Sequence, residues 1–150
     1  MNDTCFGVFA GTSVAKDWFA ARESCLQLGS DLAVVDSEIE RKIIADHLTN
    51  IANRYPGHNV KALLGIRNIG RWYWLDGSNI SASIWHSGYP DVLKTGECGL
   101  LAKSSREWKL DHVPCRRRFS FICETDERKS FVMVKSFQGF SFLIKFFSDA

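Results

Sequence analysis

The chain has no continuous apolar run of about 20 residues, the length that a membrane-spanning helix needs. It also has no internal repeat and no low-complexity tract. Those absences exclude a solenoid of stacked repeats and a chain that stays unfolded for want of a core. No Cys-x-x-Cys pair or Cys/His cluster at zinc spacing occurs, which removes the common structural zinc sites. The nucleophile elbow, the zinc-binding helix motif and catalytic carboxylate pairs are missing too. Excess charge is small: the net value is +2, so nothing global calls for nucleic acid or a membrane surface. No nucleic-acid-binding motif is found. Met1 to Thr4 lack a charged segment followed by an apolar one, so no signal peptide is expected, and an extracellular form would be a mature or excised piece.

What is present suits a single packed domain. The 150 residues are 45% hydrophobic and 13% aromatic, ample for one core. Four of the five cysteines are spread widely: Cys25 in a helix-like stretch, Cys98 and Cys115 mid-chain, and Cys123 in the strand-like Phe119–Glu124 run. Four cysteines allow three connectivities. A nested pairing would clamp the domain ends with one bridge and close a local loop with the other. Disulfides require an oxidising compartment, and Asn2-Asp3-Thr4 and Asn79-Ile80-Ser81 both fit the glycosylation pattern of secreted chains. The expected location is secreted, or the extracellular part of a surface protein.

Two helices precede a loop-rich, strand-bearing half. Trp18, Ala21, Cys25 and Leu28 recur at three- and four-residue steps between Lys16 and Gly29, which predicts a helix stopped by Gly29 with Cys25 facing inward. Asp31–Val35 reads as a short strand. Ser37 and Glu40 then form a capping box for a second helix that points Ile43, Ile44, His47, Leu48 and Ile51 inward, and Pro56-Gly57 ends it. Leu63–Ile66 is a buried-strand candidate, and Arg71–Leu75 is a second strand before the Asp76-Gly77 turn. In that strand Trp72 and Tyr73 must face opposite sides, so one of them is expected to be exposed. Residues 76–98 are rich in Gly, Ser, Asn and Pro and read as a long functional loop.

This order of signals resembles the C-type lectin-like domain. The resemblance rests on Ala21, Cys25, Leu28, Gly29, Leu32, Leu64-Gly65-Ile66, Trp74-Leu75-Asp76-Gly77, Trp85, Gly88 to Asp91, Glu97-Cys98, Trp108, Cys115 and Phe121-Ile122-Cys123-Glu124. It spans residues 5–124 and leaves 125–150 as a C-terminal tail of unknown structure. It implies an α+β fold with two helices, two small antiparallel sheets and a long irregular loop region. It also implies nested disulfides, Cys25 to Cys123 and Cys98 to Cys115. Cys5 resembles the second cysteine of an N-terminal hairpin found in longer members. Trp74, Trp85 and Trp108 are then core residues. Fold alone does not fix function.

In that family, sugar is bound through calcium held by loop carboxylates and amides, and calcium takes six to eight oxygen donors. The implied ligands here are Asp91, Glu97 and Asp111, but the set is incomplete. Tyr89 stands where a Glu or Gln is expected before Pro90-Asp91, and Trp108-Lys109-Leu110-Asp111 lacks the asparagine and displaces the aspartate. Lys109 would oppose a cation there. Calcium is therefore the cofactor of the alternative reading. The bland account of the three carboxylates is a solvated loop.

A basic cluster competes for the same surface. Lys103, Arg106, Lys109, Arg116, Arg117 and Arg118 outweigh Glu107 and Asp111, for a local charge of +4. Such a run is often only a solvated face, but guanidinium forks also pair with sulfate or carboxylate. The resulting expectation is an extracellular module that binds a protein or glycan, acidic or sulfated, through residues 76–118 without calcium. Tyr89 and Arg116 join its contact residues. Catalysis by His86, His112 or the Cys5 thiol has no supporting motif. The tail carries Phe131, Phe137, Phe140, Phe142, Phe146 and Phe147 among polar residues, and it either packs on the domain, pairs with another chain or stays mobile.

Overall fold

The computed structural model describes residues 4–54, 60–86, 97–104, 106–126 and 140–146. Strand β1 (Thr4–Ala10) leads into helix α1 (Trp18–Gln27), the short strand β2 (Asp31–Leu32) and helix α2 (Glu38–Arg54). Strands β3 (Ala62–Asn68) and β4 (Trp72–Trp74) follow, then a 3-10 turn at Ala82–Ile84. Strands β5 (Glu97–Ser104), β6 (Glu107–Pro114), β7 (Ser120–Asp126) and β8 (Phe140–Phe146) complete the molecule.

Local chemistry sets the helix limits. The Asp17 side chain caps α1 by accepting from the Ala20 N–H at 2.8 Å, and Gly29 at φ +75 provides the left-handed residue that ends it. Trp18, Ala21 and Cys25 are buried on its inner face, as the periodicity predicts. For α2 the Ser37 hydroxyl accepts from the Glu40 N–H at 3.3 Å. Ile44, Leu48 and Ile51 point into the core, while Ile43 and His47 are half-buried at its margin. The helix ends at Arg54; Pro56-Gly57 lies outside the described residues.

The strands join in the order β6-β5-β3-β7-β1-β8, with β4 beside β3 and β2 beside β7. The two small sheets expected from the resemblance are thus one mixed sheet. They are joined by a short parallel contact, Ala62 to Ser120 and Leu63 to Phe121, between β3 and β7. Alternation along the central strands builds a core on each face. Ala62, Leu64, Ile66, Leu101 and Ile122 face the α2 side with Trp74; Leu63, Leu100, Phe121, Cys98 and Cys123 face the α1 side with Trp18. That two-sided burial explains why Leu63–Ile66 is apolar at every side chain rather than alternating.

Cys25 is joined to Cys123 and Cys98 to Cys115, with Cα separations of 5.5 and 5.1 Å. Cys5 takes part in neither bridge and is 4% exposed. The tail left open by the sequence contributes β8, which lies antiparallel to β1 from Thr4 opposite Phe146 to Ala10 opposite Phe140.

Trp72 and Tyr73 depart from expectation, since both are half-buried. Residues beyond the Asp76-Gly77 turn fold back over β4. Trp85 meets Trp72 edge to face at 5.0 Å, and Asn79 bridges to Tyr73.

At Gly99, β5 packs directly against Ile66 of β3. A Cβ there would sit 2.8 Å from Cβ of Ile66 and 2.8 Å from its Cγ2. Gly99→Ala is expected to destabilise the fold by about 1–3 kcal/mol through overpacking, measured by urea titration; an unchanged midpoint would show that the two strands can separate at no cost.

Candidate functional site

The surface expected to bind ligand is built on the β5–β6 ribbon. The two strands pair without a break from Glu97 opposite Pro114 to Ser104 opposite Glu107, and the Cys98–Cys115 bridge closes one end. The 82–86 segment is stitched along the free edge of β6. Trp85 bridges to Leu110, the His86 N–H donates to the Leu110 carbonyl at 3.0 Å, and Lys109 Nζ donates to the Ser83 carbonyl at 2.9 Å. His86 Nε2 donates across the ribbon to the Ala102 carbonyl at 3.1 Å. Buried Ile84 and Trp85 fix this segment to the core.

The candidate residues do not converge on one point. Glu97, Leu101, Leu110 and His112 occupy one face of the ribbon by strand alternation, whereas Asp111 falls on the other with Leu100 and Val113. Asp111 Oδ1 accepts instead from the backbone N–H of His112 at 2.8 Å. Tyr89 and Asp91 lie outside the described residues, as does the glycosylation candidate Asn2. Asn79 is exposed, with its side-chain oxygen accepting from Arg71 at 2.7 Å. Among the described residues no group of three or more His, Cys, Asp and Glu side chains is placed to hold a metal ion. The described donors of the implied calcium set, Glu97 and Asp111, therefore do not fit a single ion.

The basic residues separate as well. Lys103 and Arg106 are exposed at the β5–β6 turn, and Lys109 is near that end. Arg116 to Arg118 follow the far end of β6, about 24 Å away at roughly 3.4 Å per strand residue. There the Arg116 guanidinium sits 5.3 Å from the centre of the Phe19 ring, and Arg67 is 5.2 Å from the same ring. Arg117 covers Phe119 at 5.3 Å. The +4 run is thus two groups, one at each end of an extended strand.

The tryptophans divide between core and surface. Trp74 is 0% exposed and Trp85 buried, while Trp108 is half-buried with its Nε1–H donating to Thr49 on α2 at 2.9 Å. That bond fixes the indole between α2 and β6.

An acidic cavity of about 400 Å³ escapes sequence reasoning. Asp36, Ser37, Glu40, Asp76 and Glu124 line it, brought together from three regions of the chain. Glu124 Oε1 accepts from the Val34 N–H at 3.1 Å. Burial raises the Glu124 pKa to about 7, the Val34 hydrogen bond pulls the other way, and Glu40, Asp76 and Asp31 add to the rise. Burial also raises Glu40, with a smaller contribution from Asp36. The only sequence signal was Glu124 at the end of the Phe121–Glu124 motif, without its partners.

A family model described as the Lectin C-type domain matches residues 14–125. The galactose-specific lectin nattectin of Thalassophryne nattereri is 27% identical over 123 residues, 79% of this chain and 72% of its own length. The chain spans about half the length of several other curated relatives it matches. The C-type lectin domain of murine dendritic cell inhibitory receptor 2, solved in complex with N-glycan, superposes with a TM-score of 0.69 at 21% identity, covering 83% of this chain and 92% of that one. The Ca2+-independent lectin SPL-2 of Saxidomus purpuratus gives 0.68 at 23%, covering 83% and 87%.

Glu124 makes stability depend on pH. Its folded-state pKa, about 7, lies above the ordinary 4.5, so the folded protein keeps a proton that the unfolded chain releases within that window. Stability is therefore expected to rise as pH falls from about 7 toward 4.5, and the burial penalty is felt in full above 7. Glu124→Gln keeps an acceptor for Val34 and is expected to raise the urea midpoint at pH 8 and flatten the rise. Parallel pH profiles for the two proteins would assign the dependence elsewhere.

Proposed function

The chain belongs to the C-type lectin domain family, and from that premise we propose that it is an extracellular, non-catalytic module that binds its ligand without calcium through the surface of residues 76–118. Family membership makes it a carbohydrate or protein recognition module. The observation that carries the calcium-independent reading is the opposed orientation of Glu97 and Asp111 on the β5–β6 ribbon. The fold itself does not demand calcium, since SPL-2 shares it.

The contact residues of this reading are Tyr89, Asp91, Glu97, Lys103, Arg106, Lys109, Asp111 and Arg116. Within it, Lys103, Arg106 and Lys109 form the working end: they gather at the β5–β6 turn, spread over both faces of the ribbon by alternation, and Lys109 is tied to the anchored 82–86 segment through the Ser83 carbonyl. Their charge favours an acidic glycan or protein patch. Arg116 lies at the opposite end and makes a separate contact. Extracellular placement is supported by the two disulfides, which an oxidising compartment maintains.

A glycan array run in calcium and in EDTA, at two salt concentrations, tests the proposal. Binding to sulfated glycans is expected to survive EDTA and to weaken severalfold as salt rises well above 0.1 M, where exposed charges are screened within about 10 Å. Loss in EDTA, restored by calcium and abolished by Asp111→Ala, would instead support the calcium-dependent reading through Asp91, Glu97 and Asp111.

A further inference from the structure

A second cavity, of about 290 Å³, opens between α2 and β6. Its walls carry three cations from two separate elements, Arg41 and Lys42 on α2 and Lys109 on β6, against the single carboxylate of Glu38. Trp108 forms the apolar wall, and Ser83 and Ile84 close the side formed by the 3-10 turn. We propose that this groove is a subsite for one sulfated sugar residue. The inference rests on the recognition reading above and places two of its three cations, Arg41 and Lys42, on α2, a helix outside the surface of residues 76–118.

The groove is ordered before any ligand arrives. The Trp108 indole is tied to Thr49, so its ring is held without a further loss of side-chain freedom on binding. Arg41 is anchored by Nη1, which donates to the Asp36 carbonyl at 2.8 Å and the Val35 carbonyl at 3.4 Å. A guanidinium has five N–H donors, so others remain for an anion. Burial holds the Arg41 pKa below its usual range, opposed by Glu38 and Asp36. Lys109 Nζ gives one hydrogen to the Ser83 carbonyl and keeps two.

Chemistry and size select the ligand. A cavity of about 290 Å³ is at the lower edge of small-molecule sites and suits a single pyranose ring rather than a folded partner. The indole offers a flat apolar surface for the C–H face of a sugar. The cations offer charge-assisted hydrogen bonds to a sulfate on its rim. A neutral sugar would offer the cations acceptors but no counter-charge, and a free sulfate would leave the indole unused.

The test is a titration of the 15N-labelled chain at constant ionic strength, following the Trp108 indole N–H by NMR. The probes are N-acetylglucosamine 6-sulfate, N-acetylglucosamine and inorganic sulfate. The sulfated sugar is expected to shift the Trp108 signal saturably and the other two far less. Lys42→Glu, at an exposed helix position that leaves the core untouched, is expected to weaken binding about fivefold or more by reversing one contact charge. Equal shifts from sulfate alone would reveal an adventitious ion site and overturn the proposal, as would equal shifts from the neutral sugar or an unchanged affinity in Lys42→Glu. An array that binds sulfated glycans while Trp108 stays unmoved would overturn the groove and leave the wider reading standing. An empty array with a saturable Trp108 shift would do the reverse.

Discussion

The cross-link between α1 and β7 is the constraint on which the rest of the molecule depends. Cys25 projects from the buried face of α1, and Cys123 occupies the strand that touches β1, β2 and β3. One covalent bond therefore fixes the helix against the junction of the sheet. The bridge spans 98 residues, for which chain entropy gives about 4.7 kcal/mol of stabilisation, against about 3 for the 17-residue Cys98–Cys115 bridge. The longer bridge holds the framework and the shorter one holds the ribbon that presents the candidate ligand surface.

That framework has functional weight because the ribbon borrows its rigidity. β5 pairs with β3, β3 with β7, and β7 carries Cys123. On the other edge of the ribbon, the 82–86 segment is secured by backbone hydrogen bonds to Leu110 and by buried Ile84 and Trp85. Trp108 links the ribbon to α2 through Thr49. Side chains such as Arg41 and Lys109 thus meet from distant parts of the chain with little freedom left to lose.

Features governed by local periodicity were legible in the sequence. Trp18, Ala21 and Cys25 form the predicted stripe, Gly29 ends α1, and the all-apolar Leu63–Ile66 run is buried on both faces. Features that need strand register were not. Glu97 matches the family motif and Asp111 is displaced from it by a residue, yet which face each takes follows only from the pairing of Glu97 with Pro114. The basic run looked like one patch because the sequence counts residues, whereas an extended strand spreads them over some two dozen ångströms. The cavity around Glu124 was invisible because its other carboxylates, at 36, 40 and 76, share no motif. The place of β8 beside β1 could not be read either, since a phenylalanine-rich stretch names no pairing partner.

The pairing of Thr4 with Asp126 at one corner of the sheet has a mechanical consequence. A load pulling these two residues apart would peel β1 from β7 pair by pair, the geometry that yields at low force because bonds break in sequence rather than together. The tension would then run from Thr4 along the chain to Cys25, across the sulfurs to Cys123 and out through Asp126. Residues 26–122 lie off that covalent path, so the backbone of the ribbon carries no load until the bond breaks. A domain wired this way can be tugged while the backbone of its candidate ligand surface bears no load.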